Sequence, residues 1–256
     1  MDLQLTGKKV IVTGGTKGIG RAIVETFGAE GCSVAFCARN AEQVTQTANI
    51  LKASGILTYG GVVDIADGKG LKDWIVQASN SLGGLDILIL SAGALAMGAD
   101  ETAWLKNLQI DILGAVNAIE AALPMLEQSA QKSGDAAIVA ISSTAFINAS
   151  EPSSYGAVKA SLIHLIKGVA RKNASKHIRA NVVSPGMVYF TDGFWNKIEQ
   201  QSPAFFQRSL ERNPMGRMAT PQDIANAVVF LASPRSSYTN GVNLIVDGVL
   251  SDRVNY

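Results

Sequence analysis

The stretch Lys8 to Gly20, K-K-V-I-V-T-G-G-T-K-G-I-G, constrains the fold more than any other, because it joins a short apolar run to a helical pattern through closely spaced glycines. Val10, Ile11 and Val12 are β-branched and apolar, the composition of a strand covered on both faces. Gly14, Gly18 and Gly20 follow at the spacing Gly-x-x-x-Gly-x-Gly. Gly14 permits a tight exit from the strand, Gly18 lets backbone amides approach a phosphate without a Cβ in the way, and Gly20 lets the next helix lie close to the sheet. A helix over residues 19–30 then points its positive end at that anion. An ordinary glycine-rich turn is the alternative, but the strand before and the helix after favour a nucleotide.

The rest of the chain alternates. Residues 33–38, 58–63, 85–90, 137–141, 179–183 and 242–246 read as strands, and residues 41–53, 69–82, 102–126, 153–174 and 221–231 as helices. Regular alternation predicts an α/β fold: a doubly wound, Rossmann-like parallel sheet of about seven strands flanked by helices, in a single domain over 1–256. Residues 187–218 interrupt the pattern, being less regular and rich in aromatics.

Composition removes several classes of function. A formal net charge of +1 without a basic cluster leaves no footprint for nucleic acid. The amino terminus lacks the layout of a signal peptide and no apolar run is expected to span a bilayer, so a cytoplasmic protein with no membrane contact is expected. Cys32 and Cys37 have an odd separation about the second strand, which puts them on opposite faces, so they are not expected to bridge easily. With two histidines, no H-E-x-x-H and no C-x-x-C, no metal site is expected.

Tyr155 and Lys159 are four apart in a helical segment and share one face. Tyrosine is a poor acid at its ordinary pKa of about 10, but a neighbouring ammonium favours the phenolate, and three pKa units correspond to only about 4 kcal/mol. Ser142 and Ser143 end the strand at 137–141, on the carboxyl edge where such sheets bind ligands. Alternation lets only one of the two point inward. His164 lies nine residues beyond Tyr155, on the opposite helix face, and there is no G-x-S-x-G elbow, so a hydrolase is disfavoured and His164 and His177 read as structural.

Thr13 to Gly20 fits T-G-x-x-x-G-x-G in full, and Ser142-Ser143, Tyr155-x-x-x-Lys159 and Pro185-Gly186 follow at matching spacing. With P-M-G-R-M-A-T-P-Q-D-I-A and V-D-G-V near the end, the chain resembles the classical short-chain dehydrogenase/reductase family over nearly its whole length. The resemblance implies an NADP(H)-dependent oxidoreductase acting on a ketone or secondary alcohol. Tyr155 is its general acid/base, Lys159 holds the ribose and lowers the tyrosine pKa, and Ser142 or Ser143 holds the substrate oxygen. The family's usual thirteen-residue spacing selects Ser142; the I-S-S register selects Ser143. Asp111 stands where most members have an asparagine that helps hold a relay water. Its carboxylate can accept from that water and from Lys159, but its charge opposes the tyrosinate.

Cofactor contacts are implied in the glycine turn at Gly14, Thr16, Lys17, Gly18, Ile19 and Gly20, and near the adenine at Asp64 and Ile65. Ser91, Ala92 and Gly93 replace the family's N-A-G. Pro185, Gly186 and Val188 meet the nicotinamide carboxamide beside Tyr155 and Lys159, with Thr191 displaced by one from the usual threonine. NAD-preferring members carry an acid where this chain has Arg39; with Lys17 it forms a basic pair suited to the 2′-phosphate of NADP. Solvated surface cations are the alternative.

The segment 187–218 corresponds to a mobile lid, whose Phe190, Phe194, Trp195, Phe205 and Phe206 line an apolar pocket or pack against the body or a neighbouring subunit. Val249 replaces the usual second glycine of the terminal motif. The helices at 102–126 and 153–174 are apolar around much of their circumference, and the resemblance implies a dimer or tetramer built on them. Two rivals remain: a nucleotide-sensing protein without turnover, and a reductase of carbon–carbon double bonds or an epimerase on the same frame.

Overall fold

The computed structural model describes residues 1–147 and 152–253. Its strands are β1 (Lys9–Thr13), β2 (Ser33–Ala38), β3 (Thr58–Val62), β4 (Ile87–Leu90), β5 (Ala136–Ile141), β6 (Ile178–Pro185) and β7 (Asn243–Val246). They form one parallel sheet in the order β3-β2-β1-β4-β5-β6-β7. β4 begins two residues later than its apolar pattern suggests, because Asp86 turns its carboxylate to accept from the Lys9 amide at 2.7 Å.

Alternation decides which side of the sheet each residue serves. Val10 and Val12 pack with Ile23 and Phe27 of α1 (Gly18–Ala29), Val44 and Leu51 of α2 (Ala41–Ala53), and Val228 of the carboxyl-terminal helix Pro221–Ala232. Ile11 packs on the other face with Ile75 of α3 (Gly68–Leu82) and Ala118 and Leu126 of the long helix that precedes β5. Each fully buried large apolar side chain contributes about 1.5–3 kcal/mol. Cys32 and Cys37 fall into opposite clusters, free and buried, and desolvation pushes both thiols up to about 12.

The long helix differs most from its sequence pattern. A regular helix over 102–126 is expected; instead α4 (Glu101–Asn107) widens into a π-helical stretch, Leu108–Leu113, before α5 (Gly114–Ser133) resumes. A π-turn inserts a residue, which shifts the apolar stripe without erasing it, so periodicity does not flag it. The continuous helix 101–133 is long and apolar enough to cross a membrane by length and composition, contrary to the sequence expectation. One face packs on the sheet, with Ala115, Ala118, Ile119, Ala122 and Leu126 buried, while Leu105, Leu108, Leu113 and Val116 are exposed.

The segment 187–218 is also more ordered than expected, forming α7 (Phe194–Gln201) and α8 (Pro203–Glu211) after α6 (Ser154–Asn173) and β6. Pro203 at the first turn of α8 restarts the helix where α7 stops. Pro221–Ala232 is then α9, opened by a Thr220–Asp223 capping box.

Connections from β1 run outward to β2 and β3, whereas β4 onward builds the other way, so the order reverses between β1 and β4. Ligands of open α/β sheets bind in the crevice this leaves at the carboxyl ends. The glycine turn, Ser91-Ala92-Gly93, Ser142-Ser143 and Pro185-Gly186 all leave strands along that edge.

Candidate active site

The turn after β1 is fastened before it reaches the crevice. The Cys37 carbonyl accepts from the Gly14 and Gly15 amides at 2.9 and 3.1 Å, and Thr13 Oγ1 accepts from the Ser91 and Ala92 amides at 3.2 and 3.3 Å. Gly14 has φ +73, and a Cβ there would fall 2.9 Å from Ala92 Cα; a Cβ on Gly20 would strike the Gly14 carbonyl. Only glycine closes this turn. Asn40, Asp67, Ser153 and Thr220 accept from backbone amides to cap α2, α3, α6 and α9. α1 has no side-chain cap and no acid in its first turn. Its amides and dipole are left for an anion. The cradle therefore fits a nucleotide diphosphate. Phe190 sits over it, since a Cβ on Gly18 would fall 2.5 Å from Phe190 Cζ.

Arg39 and Lys17 are both exposed, and neither side chain has an ion-pair or hydrogen-bond partner among the described residues. Asp64 Oδ1 accepts from the Ala66 amide at 3.0 Å, the turn-forming role, and Asp64 stays exposed. Ile65 is a buried core residue packed beside Gly114, so only its backbone is left for a cofactor. Val188 bridges Ala219, but the hydrogen bonds of that bridge belong to Met187 and Tyr189, leaving the Val188 amide and carbonyl free of it.

At the other end of the crevice the polar groups are buried. Lys159 Nζ lies 2.8 Å from Asp111 Oδ1, with the two side chains 5% and 0% exposed. It also donates to the Ile141 carbonyl at 2.9 Å and sits 5.6 Å from the centre of the Tyr155 ring. Asp111 Oδ2 accepts from the Ala94 amide at 2.9 Å. The Oδ1 contact is ionic rather than an aligned hydrogen bond: among the described residues Oδ1 has no hydrogen-bond donor. Burial presses Lys159 toward neutrality, but the negative charges of Tyr155 and Asp111 more than offset it, and its pKa is raised above the ordinary value. Breaking such a pair by removing one partner costs about 3–5 kcal/mol.

The two serines are divided by their surroundings. Ser142 is buried and its hydroxyl donates to the Lys159 main-chain carbonyl at 2.9 Å, which ties β5 to α6. Ser143 is half-buried, and its hydroxyl accepts from the Ala145 amide at 3.2 Å. A second clamp sits beside them. Fully buried Asn107 accepts from the Ala96 amide and donates to the Ala96 carbonyl and to Ser154 Oγ at 2.9 Å, pinning the loop after β4 against the start of α6.

A cleft of about 770 Å³ joins the two ends. Among the expected residues it is lined by Gly14, Lys17, Ile19, Gly20, Ser91, Gly93, Ser142, Ser143, Tyr155, Lys159, Pro185, Gly186 and Val188. Thr16, Gly18, Arg39, Asp64, Ile65, Ala92 and Thr191 are not on its wall, and Asp111 lies behind Lys159. Thr191 is exposed in the turn before α7, displaced by Phe190, which takes the place on the wall. Phe194, Trp195 and Phe205 line the cleft, the last two stacked at 6.2 Å, whereas Phe206 packs against Tyr189. Leu95, Met97, Ile147, Ser209, Arg212 and residues 250–252 also line the wall. No spacing in the sequence brings these loops together; only the aromatic content of 187–218 hinted at one of them. Residues 148–151, between β5 and α6, lie outside the described residues.

The family model described as enoyl-(acyl carrier protein) reductase matches residues 14–250. Isoepoxydon dehydrogenase patN of Aspergillus clavatus is 32% identical over 252 residues, covering 96% of this chain and 95% of that relative. L-Sorbose reductase of Gluconobacter frateurii, solved with NADPH and L-sorbose, superposes with a TM-score of 0.90 at 27% identity, over 99% of this chain and 100% of that one. An NADPH-bound short chain oxidoreductase of Pseudomonas aeruginosa PAO1, whose catalytic centre is described as atypical, gives a TM-score of 0.86 at 30% identity over 96% and 98%. A doubly wound sheet with this edge and these relatives defines the class: the chain belongs to the short-chain dehydrogenase/reductase family of oxidoreductases.

Proposed function

We propose that the protein is an NADP(H)-dependent carbonyl reductase or alcohol dehydrogenase, acting on a ketone or secondary alcohol with an apolar part. The observation that carries this reading is that one cleft contains both the uncapped end of α1 and the pair Tyr155 and Lys159. The cradle from Gly14 to Gly20 would hold the pyrophosphate, Arg39 and Lys17 the 2′-phosphate, and Pro185, Gly186 and Val188 the carboxamide. Bound NADP(H) supplies the hydride.

Tyr155 donates the proton to the substrate oxygen in reduction and takes it back in oxidation. Lys159, anchored by Ile141 and Asp111, holds a positive charge beside the ring. Ser143 is the hydroxyl that orients the substrate oxygen, because Ser142 has its own hydroxyl committed to the Lys159 carbonyl. Phe190, Phe194, Trp195 and Phe205 keep water from the reacting carbon and select an apolar substrate. Exposed Leu105, Leu108, Leu113 and Val116 on the long helix support a homo-oligomer, a dimer or tetramer, which light scattering at micromolar concentration tests.

A panel of ketones offered with NADPH is the test of function, followed by loss of NADPH absorbance. Turnover with at least one apolar ketone, abolished in Tyr155→Phe, is the expected result. Tight NADPH binding with no turnover on ketones, enones or epimerisable sugars supports a sensor instead.

A further inference from the structure

The corner where Lys159 and Asp111 meet has a charge balance that the pair Tyr155 and Lys159 alone does not have. The carboxylate oxygen stands 2.8 Å from the ammonium, half the distance from that ammonium to the tyrosine ring centre, 5.6 Å. Both side chains are buried, so water does little to screen them. Asp111 is also built in. The π-helical stretch turns it inward, the Ala94 amide holds its other oxygen at 2.9 Å, and Gly93 leaves room for it, since a Cβ there would fall 3.1 Å from Oδ1.

Among the described residues, the other groups facing this corner are few. From the end of β5 come the Ile141 carbonyl and the two serines, and from the loop after β4 come Ser91 and Gly93. Among the described residues, the remaining charges on the cleft wall are Lys17 of the glycine turn, Arg212 after α8 and Asp252 near the carboxyl end, all exposed. Exposed charges are screened within about 10 Å at ordinary salt. Among the described residues the Lys159–Asp111 pair supplies the buried charges beside the Tyr155 ring, and its two charges oppose each other.

We propose that Asp111 is a positioning residue that neutralises Lys159 and thereby keeps Tyr155 a proton donor to higher pH than an unpaired lysine would allow. This deepens the reading of Tyr155 as the general acid and rests on it. A phenolate formed beside an already neutral pair adds a net negative charge to a half-buried site, whereas beside a lone ammonium it would cancel one. Ketone reduction is thereby sustained on the alkaline side, and its decline is set by the same ionisation.

The test is a pH titration of the Tyr155 phenolate by ultraviolet difference spectroscopy, each protein being read against its own Tyr155→Phe version. Asp111→Asn lowers the midpoint by about one pH unit, the size expected for a single nearby charge. Asp111→Glu, which keeps the charge, leaves it in place. The alkaline limb of ketone reduction moves with the midpoint in each variant. Should Asp111→Asn fail to fold, the double variant Asp111→Asn with Lys159→Gln removes the pair together and titrates close to the wild type. A midpoint unmoved in folded Asp111→Asn overturns the proposal, as does a rise of more than about one unit in the double variant, which would make Lys159 an uncompensated cation. Glu151→Gln checks the acidic residue that lies outside the described residues. It leaves the midpoint in place, and a shift as large as that of Asp111→Asn would also overturn the assignment. The titration needs no turnover, so full activity in Tyr155→Phe would refute the acid assignment separately.

Discussion

The two ends of the cleft treat charge in opposite ways. Around Tyr155 the ionic groups are buried and tied to each other: Lys159 to Asp111 and Ile141, Ser142 to the Lys159 carbonyl. Around the glycine turn they are open. Lys17 and Arg39 project into solvent, and α1 begins without a cap. A charge that must act at fixed geometry gains from burial and from an internal partner, because an unpartnered buried charge is costly. A charge that selects a ligand has to stay unpartnered until the ligand arrives. The contrast supports the proposed division, chemistry at one end and cofactor choice at the other.

The largest effect that could break this division is at the buried end. Tyr155→Phe keeps the ring and removes the exchangeable proton, so ketone turnover is expected to drop at least ~100-fold, in line with general acid catalysis. NADPH affinity, measured by fluorescence titration, stays nearly unchanged. At the open end, a charge-assisted contact to the 2′-phosphate is worth roughly 1.5–3 kcal/mol, or on the order of 10- to 100-fold in affinity. Arg39→Asp is therefore expected to weaken NADPH by that factor and to improve NADH by supplying an acceptor for the ribose hydroxyls. Equal affinity of the wild type for the two cofactors would make Arg39 a surface residue.

Smaller effects sharpen the picture of each end. The Phe190 ring covers the cradle at Gly18. Its removal in Phe190→Ala exposes the cradle and should tighten NADPH by roughly 3- to 10-fold, the equivalent of about 1 kcal/mol of partial ring burial. A weaker complex would show that the ring belongs to the binding surface. Val249, beyond the cleft rim, is an exposed β-branched residue at φ +63. That conformation costs about 1–2 kcal/mol, part of which glycine's extra chain entropy takes back. Val249→Gly should raise Tm by roughly 1–4 °C in a thermal melt, with turnover unaffected.

Most of the sheet was legible because buried parallel strands carry continuous apolar runs, such as Val10 to Val12 and Ile87 to Leu90, and helices carry their own period. The glycine turn was legible as well, since Gly14 and Gly20 meet backbone that tolerates no side chain. The π-turn was not, because one inserted residue leaves the composition of the helix unchanged; the contact of Asp111 with Lys159 was implied by the family resemblance alone, and its 2.8 Å geometry is a tertiary fact. The choice between the serines was open for a similar reason. Spacing selects one and register the other, and burial of the Ser142 hydroxyl against α6 is a tertiary fact. The far wall, from Arg212 and residues 250–252, comes from chain segments with no periodic signal.

The division between the two ends is tested most directly by a double-mutant cycle on Tyr155→Phe and Arg39→Asp. Turnover is read at saturating NADPH on the best ketone of the panel, and Kd for NADPH is read by titration. The account predicts that each substitution lowers its own observable by the same factor in both backgrounds, with a coupling below about 0.5 kcal/mol, as for distant independent sites. A coupling above about 1 kcal/mol in either observable would contradict it, because the residue assigned to chemistry would then also be choosing the cofactor.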